Sequence, residues 1–258
     1  MHARPLAHPL PTPSTSAAEA DSSAVFAALV RERRSVHAFD PAPIADEDVR
    51  ASLELALLAP SSFNLQPYEF IRVRDPERRS DLARLCLGQR PAQTAQELIV
   101  CVARWDRWRE TAAEHDAWLA GHPQVTEAQR HHHAYVHRRM PMFFAEGPFN
   151  IFGGLRSLLL WLRSLRGPQL AAPGSPAEHR TWAVKSAALA CAHAMLALRA
   201  RGLDSCAMEG FDHRRVARFL GLRGKFFVPM IIAVGRRGAD DRPEPQWRRA
   251  PERMIREL

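Results

Sequence analysis

The sequence predicts a fold of mixed α and β class, and three observations carry that reading. Four short apolar segments, 68–74, 98–104, 203–208 and 226–235, have the length and branched aliphatic content of buried strands. The intervals between them hold apolar residues at helical spacing. Prolines and short polar residues punctuate the joins, above all from Pro60 to Pro67. At 258 residues and 46% hydrophobic content, the chain can bury a sizeable core.

Residues 1–22 carry Pro5, Pro9, Pro11 and Pro13 among Ser, Thr and Ala, and lack the apolar periodicity that offsets ordering entropy. A flexible tail is expected there, with 23–258 as a single domain. Residues 24–34 read as a first helix, with Val25, Phe26, Leu29 and Val30 on one side and Arg33, Arg34 and Ser35 at its end. A second helix over 45–58 aligns Val49, Leu53, Ala56 and Leu57 and stops at Pro60, which disfavours helix in the residue before it. Helices are also expected at 78–87, 178–201 and 212–220, the last with Asp212 as N-cap. The helix at 178–201 is apolar nearly all round, which predicts burial on most faces and invites close packing between subunits. Lys185 and His193 on it read as structural residues rather than catalytic ones.

Between 105 and 176 the composition shifts to Trp, His and Arg, with breaks at Gly147-Pro148 and Gly167-Pro168, as an inserted helical cap would. Phe149, Ile151, Phe152, Leu155, Leu158, Leu159, Leu160, Trp161 and Leu162 form an apolar cluster in it that reads as core or as a subunit contact. His133 and His137 stand i, i+4 on a candidate helix. No carboxylate accompanies them in a metalloprotease-like pattern, so no metal site is expected.

Cys86, Cys101, Cys191 and Cys206 lie in apolar surroundings without C-x-x-C spacing, which predicts reduced core thiols. The net charge is +8, and of the 36 basic residues only Lys185 and Lys225 are lysine. Arginine favours phosphate and carboxylate, but the charge is spread along the whole chain without an aromatic-interleaved module, so small anionic ligands are expected rather than nucleic acid. No run of about 18 apolar residues marks a membrane span, and no secretory signal core is seen at the N-terminus. The expectation is a cytoplasmic protein without a membrane partner.

Four clusters carry the candidate chemistry. Arg33, Arg34, Ser35 and His37 place guanidinium groups and a hydroxyl at a helix end, where they can grip phosphate. Pro60, Ser61, Ser62, Asn64 and Gln66 form a polar loop whose amides both donate and accept, as the edge of a heterocycle requires, with Asn64 and Gln66 on one face. Glu209 and Gly210 follow a strand and precede a helix, and glycine there permits close backbone approach. Trp247, Arg248 and Arg249 lead into Pro251 near the C-terminus.

In order and content these clusters resemble the nitroreductase family of flavin mononucleotide (FMN) enzymes, in which an Arg-x-Ser, a Pro-Ser-Ser-x-Asn-x-Gln-Pro-aromatic loop, a Glu-Gly-Phe-Asp turn and a late Arg-x-Pro recur. The match covers about residues 24–104 and 177–258 and leaves the insertion unmatched. The resemblance implies an α+β, nitroreductase-like fold, with a central, mostly antiparallel sheet flanked by helices and a helical insertion. It implies a homodimer with FMN at the subunit interface, each site drawing on both chains. Arg33 and Ser35 then answer to phosphate and ribityl contacts, Arg248 or Arg249 to the late phosphate ligand, and Ser61, Ser62, Asn64 and Gln66 to the surroundings of the isoalloxazine or ribityl chain. Glu209 and Gly210 answer to the turn at the flavin's redox edge, with no dedicated acid–base triad. His37 takes a place where many relatives have Lys or Arg, which makes its contact depend on pH. The implied activity is an NAD(P)H oxidoreductase that reduces a nitroaromatic, quinone or similar small acceptor. The fold alone also admits dehalogenating, flavin-cleaving or heterocycle-oxidising relatives, or a flavin-binding protein without turnover.

Overall fold

The computed structural model describes residues 16–144, 151–168 and 173–258. Strands β1 (Tyr68–Val73), β2 (Glu97–Arg104), β3 (Asp204–Met208) and β4 (Phe226–Gly235) form one sheet in the order β1-β2-β4-β3, antiparallel at every join. Among the described residues the helices are α1 (Ser16–Glu32), α2 (Asp46–Ala56), α3 (Pro76–Leu85), α4 (Arg90–Thr94), α5 (Trp108–Gly121), α6 (Glu127–Phe144), α7 (Ile151–Ser164), α8 (Pro176–Ala200) and α9 (His213–Phe219).

The strands read as unbroken apolar runs because both faces of the sheet are covered. Ile99, Cys101 and Ala103 of β2, with Ile232 and Val234 of β4, face α2 and α8. Leu98, Val100 and Val102, with Ile231 and Ala233, face the other way, into a cluster with Leu82 and Ala83 of α3, Ala92 of α4 and Val216 of α9. Alternate residues thus serve two cores. Helices α5 and α6 join the first of them: Trp108 and Ala112 of α5 and Met140 and Phe144 of α6 pack there with Trp182 of α8.

Several expectations are corrected. α1 begins at Ser16 rather than 24, so it takes in part of the segment expected to be tail; residues 1–15 lie outside the described residues. Val25, Phe26 and Val30 are exposed on it. α8 buries one face, through Trp182, Ala183, Ala187, Ala190, Cys191, Ala194 and Leu198, while Lys185, Leu189 and His193 are exposed. By length and composition α8 is apolar enough to cross a membrane, against the expectation of no such run, and close to half of it is buried against the rest of the chain. On α7, Ile151, Phe152, Leu155, Leu158, Leu159, Trp161 and Leu162 are exposed, which removes the core reading of that cluster. Phe149 and the Gly147-Pro148 break lie outside the described residues. All four cysteines are free and buried, as their setting predicts.

Candidate functional site

The loop between α2 and β1 is held in an unusual backbone state. Phe63, Asn64 and Gln66 have φ values of 57°, 54° and 42°. Left-handed conformations are uncommon outside glycine and concentrate at ligand-holding sites. The anchor is Leu65, 1% exposed between exposed neighbours. Inside the loop the Gln66 N–H donates to Ser61 Oγ at 3.0 Å, and Gln66 Nε2 donates to Asn64 Oδ1 at 3.3 Å. Ser61 is therefore partly spent on capping its own turn. Asn64 and Gln66 share a face as their alternation predicts, and both are exposed with Pro60 and Ser62.

The second cluster follows β3. Met208 ends the strand, and Asp212 caps α9 by accepting from the Arg215 N–H at 3.0 Å. Between them, exposed Gly210 accepts at its carbonyl from Gln89 Nε2, while its N–H donates to no group among the described residues. A Cβ at Gly210 would stand 3.2 Å from the Gln89 amide nitrogen, a tight contact that the end of that flexible side chain can relieve. Glu209 is exposed beside it.

The third cluster runs along the free edge of β3. Ser35 pairs with Ser205 in parallel, and the Val36 N–H donates to the Ser205 carbonyl at 3.2 Å. Buried Asp241 accepts from the N–H groups of His37 and Ala38 at 2.9 and 3.2 Å, which bolts this stretch to the residues after β4. Arg33 and Arg34 are half-buried, and Ser35 and His37 are exposed. Arg248 and Arg249 lie in an exposed C-terminal segment with Trp247 74% exposed; Arg248 donates to the neighbouring Trp247 carbonyl.

Register decides what meets what. Tyr68 pairs with Ala103, Ala103 with Phe227, and Met208 with Ile231, so the polar loop before β1 and the Glu209–Gly210 turn after β3 leave the same end of the sheet. They leave it from opposite edges, three strand spacings or about 14 Å apart. One chain therefore groups Arg33, Ser35, Glu209 and Gly210 near β3 and holds Ser61, Ser62, Asn64 and Gln66 at β1. One chain holds them apart on opposite sheet edges, as two candidate half-sites, and does not close them around one ligand.

Beside the loop a cleft of about 240 Å³ is lined by Gln66, Tyr68, Arg107, Trp108, Glu110 and Glu114, among others. Its wall is an ion-pair network. Arg104 reaches Glu69 at 3.0 Å and Asp106 at 3.0 Å, and Arg107 reaches Glu69 at 3.1 Å. Burial would raise the Asp106 carboxyl, but Arg104 and the Lys225 N–H more than offset it and hold it below the usual carboxylate range. Gly224, at φ 88°, lies so close that a Cβ would stand 2.0 Å from Asp106 Oδ2. Burial pushes the Tyr68 phenol up to about 12, and its hydroxyl has no hydrogen-bond partner among the described residues.

A further cluster lies up the α5–α6 hairpin. His133 and His137 are one turn apart on α6, as their spacing predicts, but His137 is buried rather than exposed. Sequence reasoning missed His115 and Asp116 of α5, which the fold brings to them; Asp116 Oδ1 sits 2.6 Å from His137 Nδ1. The carboxylate absent from the local pattern is thus supplied from 21 residues upstream. Burial, and then proximity to the other rings, push His115 and His133 below the ordinary histidine range.

Residues 30–236 match the model of the nitroreductase family. The chain belongs to the nitroreductase family. Among proteins similar to this nitroreductase-family chain is the NADH dehydrogenase of Thermus thermophilus, 28% identical over 204 residues, 79% of this chain and 82% of that one. In fold it is similar to a nitroreductase family protein from Streptococcus pneumoniae, with TM-score 0.68, 24% identity and coverage of 90% of this chain and 100% of that one. It is also similar to the NADPH:FMN oxidoreductase of Vibrio harveyi complexed with NAD+, with TM-score 0.58, 20% identity and coverage of 90% and 76%. The nitroreductase fold expected from the four clusters is thereby established.

Proposed function

We propose that this nitroreductase-family chain is an FMN-dependent oxidoreductase that takes reducing equivalents from NADH or NADPH and passes them to a nitroaromatic, quinone or similar small acceptor. The observation that carries the reading is the loop 61–66, strained at three non-glycine residues and directing amides and a hydroxyl outward. Backbone strain of this kind persists where the surroundings over-determine it, commonly at ligand clamps. The names of the Thermus and Vibrio relatives, which cite NADH, NADPH and FMN, supply the cofactor class.

The donor set fits such a cofactor. When bound, FMN supplies the two-electron chemistry, accepting a hydride equivalent from reduced nicotinamide and delivering it to the acceptor. Asn64 and Gln66 offer donors and acceptors in alternation for the heterocycle's polar edge. The N–H of Gly210, unbonded among the described residues, would donate toward negative charge that develops on reduction, with Glu209 beside it. Arg33, Arg34, Ser35 and one of Arg248 and Arg249 provide charge for a phosphate.

The half-sites imply two copies. A homodimer lets the loop of one chain meet the Gly210 turn and Arg33 stretch of the other. The exposed apolar residues of α1 and α7, with Trp247, Met254 and Ile255, support the same assembly. The buried free thiols support a reducing, cytoplasmic setting.

The test is spectroscopic. Purified protein is expected to be yellow, with one FMN per chain, and to bleach when titrated anaerobically with NADH or NADPH. Colourless protein that takes up no added FMN would overturn the reading. Bound flavin that neither nicotinamide reduces would favour one of the specialised chemistries of the fold.

A further inference from the structure

The three histidines of the inserted hairpin form a second candidate site, independent of the flavin reading. The hairpin is fastened at its turn, where Arg130 donates to the Leu119 and His122 carbonyls at 3.0 and 3.2 Å. One turn beyond Arg130 on α6 comes His133, then His137, both facing His115 on α5. Ring centroids lie 4.9 Å apart for His115–His133, 5.5 Å for His115–His137 and 6.0 Å for His133–His137. One nitrogen from each ring lies within 4.8 Å of those of the other two.

Two of these rings carry buried nitrogens with no hydrogen-bond partner among the described residues, His137 Nε2 and His115 Nδ1. Such atoms are costly, and native folds leave few of them. The His137 ring, with its side chain 5% exposed, is already oriented: Nδ1 faces Asp116 Oδ1 at 2.6 Å, so Nε2 points away from the carboxylate. A histidine whose far nitrogen donates to a carboxylate keeps a lone pair on the near one, and that arrangement is the usual outer support of a metal-bound imidazole. Two rings with an unpartnered buried nitrogen, grouped with a third so that each brings one nitrogen within 4.8 Å of the others, call for an acceptor of lone pairs. A cation is such an acceptor.

We propose that His115, His133 and His137, backed by Asp116, bind a divalent first-row transition metal of the zinc class. A tetrahedral ion with Zn–N bonds of 2.0–2.1 Å sets its ligand nitrogens about 3.4 Å apart. The site reaches that spacing by closing roughly 1.4 Å, within the range of small side-chain rotations of surface-helix histidines. Water takes the fourth position. The metal clasps α5 to α6 about two helical turns from Trp108 and from Phe143, and Phe143 lies 6.5 Å from Phe63 of the polar loop, ring to ring. The clasp therefore fixes the hairpin that abuts the strained loop.

The test uses the full-length chain, expressed without a histidine tag, stripped with chelator and titrated with Co2+ and then Zn2+. One Co2+ per chain with the intense visible bands of tetrahedral coordination, displaced by Zn2+, is expected, together with a rise in melting temperature on metal addition. Asp116→Asn is expected to weaken binding by about tenfold. His133→Ala is expected to abolish the tetrahedral spectrum, while His131→Ala and His132→Ala leave it unchanged. His115→Gln provides a second ligand deletion should His133→Ala melt early without metal. No saturable binding by the wild-type chain would overturn the proposal, as would equal losses from His131→Ala and His133→Ala, the sign of exposed-histidine chelation alone.

Discussion

Asn64 is the residue at which conformation and recognition can be separated. At φ 54° it occupies a region that asparagine tolerates and that costs alanine about 1 kcal/mol. Asn64→Ala is therefore expected to lower stability by about 1 kcal/mol and weaken FMN retention by roughly tenfold, the worth of one good hydrogen bond. Asn64→Gly is expected to recover the stability in chemical denaturation but not the affinity measured by flavin fluorescence. An equal recovery of both would assign the residue a purely conformational role. Tyr68 offers a separate test, because the chain has only two tyrosines. Burial first, then Cys101 and Cys191, raise its phenol from 10.0 to about 12. The unfolded chain releases that proton first, so this group's contribution to stability is complete below pH 10 and is lost as pH rises toward 12. Alkaline titration of the folded protein at the tyrosinate absorbance is expected to show a late phenol, ionising only as pH rises toward 12. The late one should vanish in Tyr68→Phe, a change expected to cost little stability because the hydroxyl has no partner among the described residues.

At the scale of elements, the start of α8 is set by a reciprocal cap. Ser175 Oγ accepts from the Glu178 N–H at 3.2 Å, and Glu178 Oε2 accepts from the Gly174 N–H at 2.6 Å. Ser175→Ala is expected to cost about 1 kcal/mol in thermal or urea unfolding. A null effect would mean that α8 is held by its packing alone. This helix also shows what the sequence made legible. The four strands fall within a residue of their expected bounds because a run apolar on both faces leaves little room for another register. α8 starts at Pro176, two residues before its expected start, because proline at the first position of a helix is favourable. α1 was begun too late because its opening turns carry helix-forming residues without an apolar stripe. The polar loop was identifiable by composition, but its left-handed backbone was not, since three such residues in four obey no propensity. His115 and Asp116 were invisible for a different reason: helical pairing across a turn leaves no local spacing to detect.

For the whole molecule, strand order places the candidate half-sites on opposite edges, so the proposed function depends on the proposed homodimer. The segment 242–258 is exposed almost throughout, with Trp247, Met254, Ile255 and Leu258 unshielded in the single chain. Deleting residues 243–258 is expected to leave the four-stranded core folded by circular dichroism while both flavin content and dimer mass, from light scattering, fall together. A truncated chain that is monomeric yet retains full flavin would show that one chain completes the site.

The same strand order governs how the sheet can come into being. β1 and β2 are close in sequence, but the central partner of β2 is β4, more than a hundred residues downstream across the cap and α8. Closing that long loop is an entropic cost met before the pairing returns any stabilisation, and topologies rich in such distant contacts fold slowly. During synthesis the β1–β2 ribbon emerges with the inner edge of β2 unpaired, a templating surface that stays open until residues 226–235 have left the ribosome. Chaperone dependence of this chain should therefore be set by the delay before residues 226–235 appear, and pulse-labelled hydrogen exchange is expected to find β2 and β4 amides protected late and in a single step.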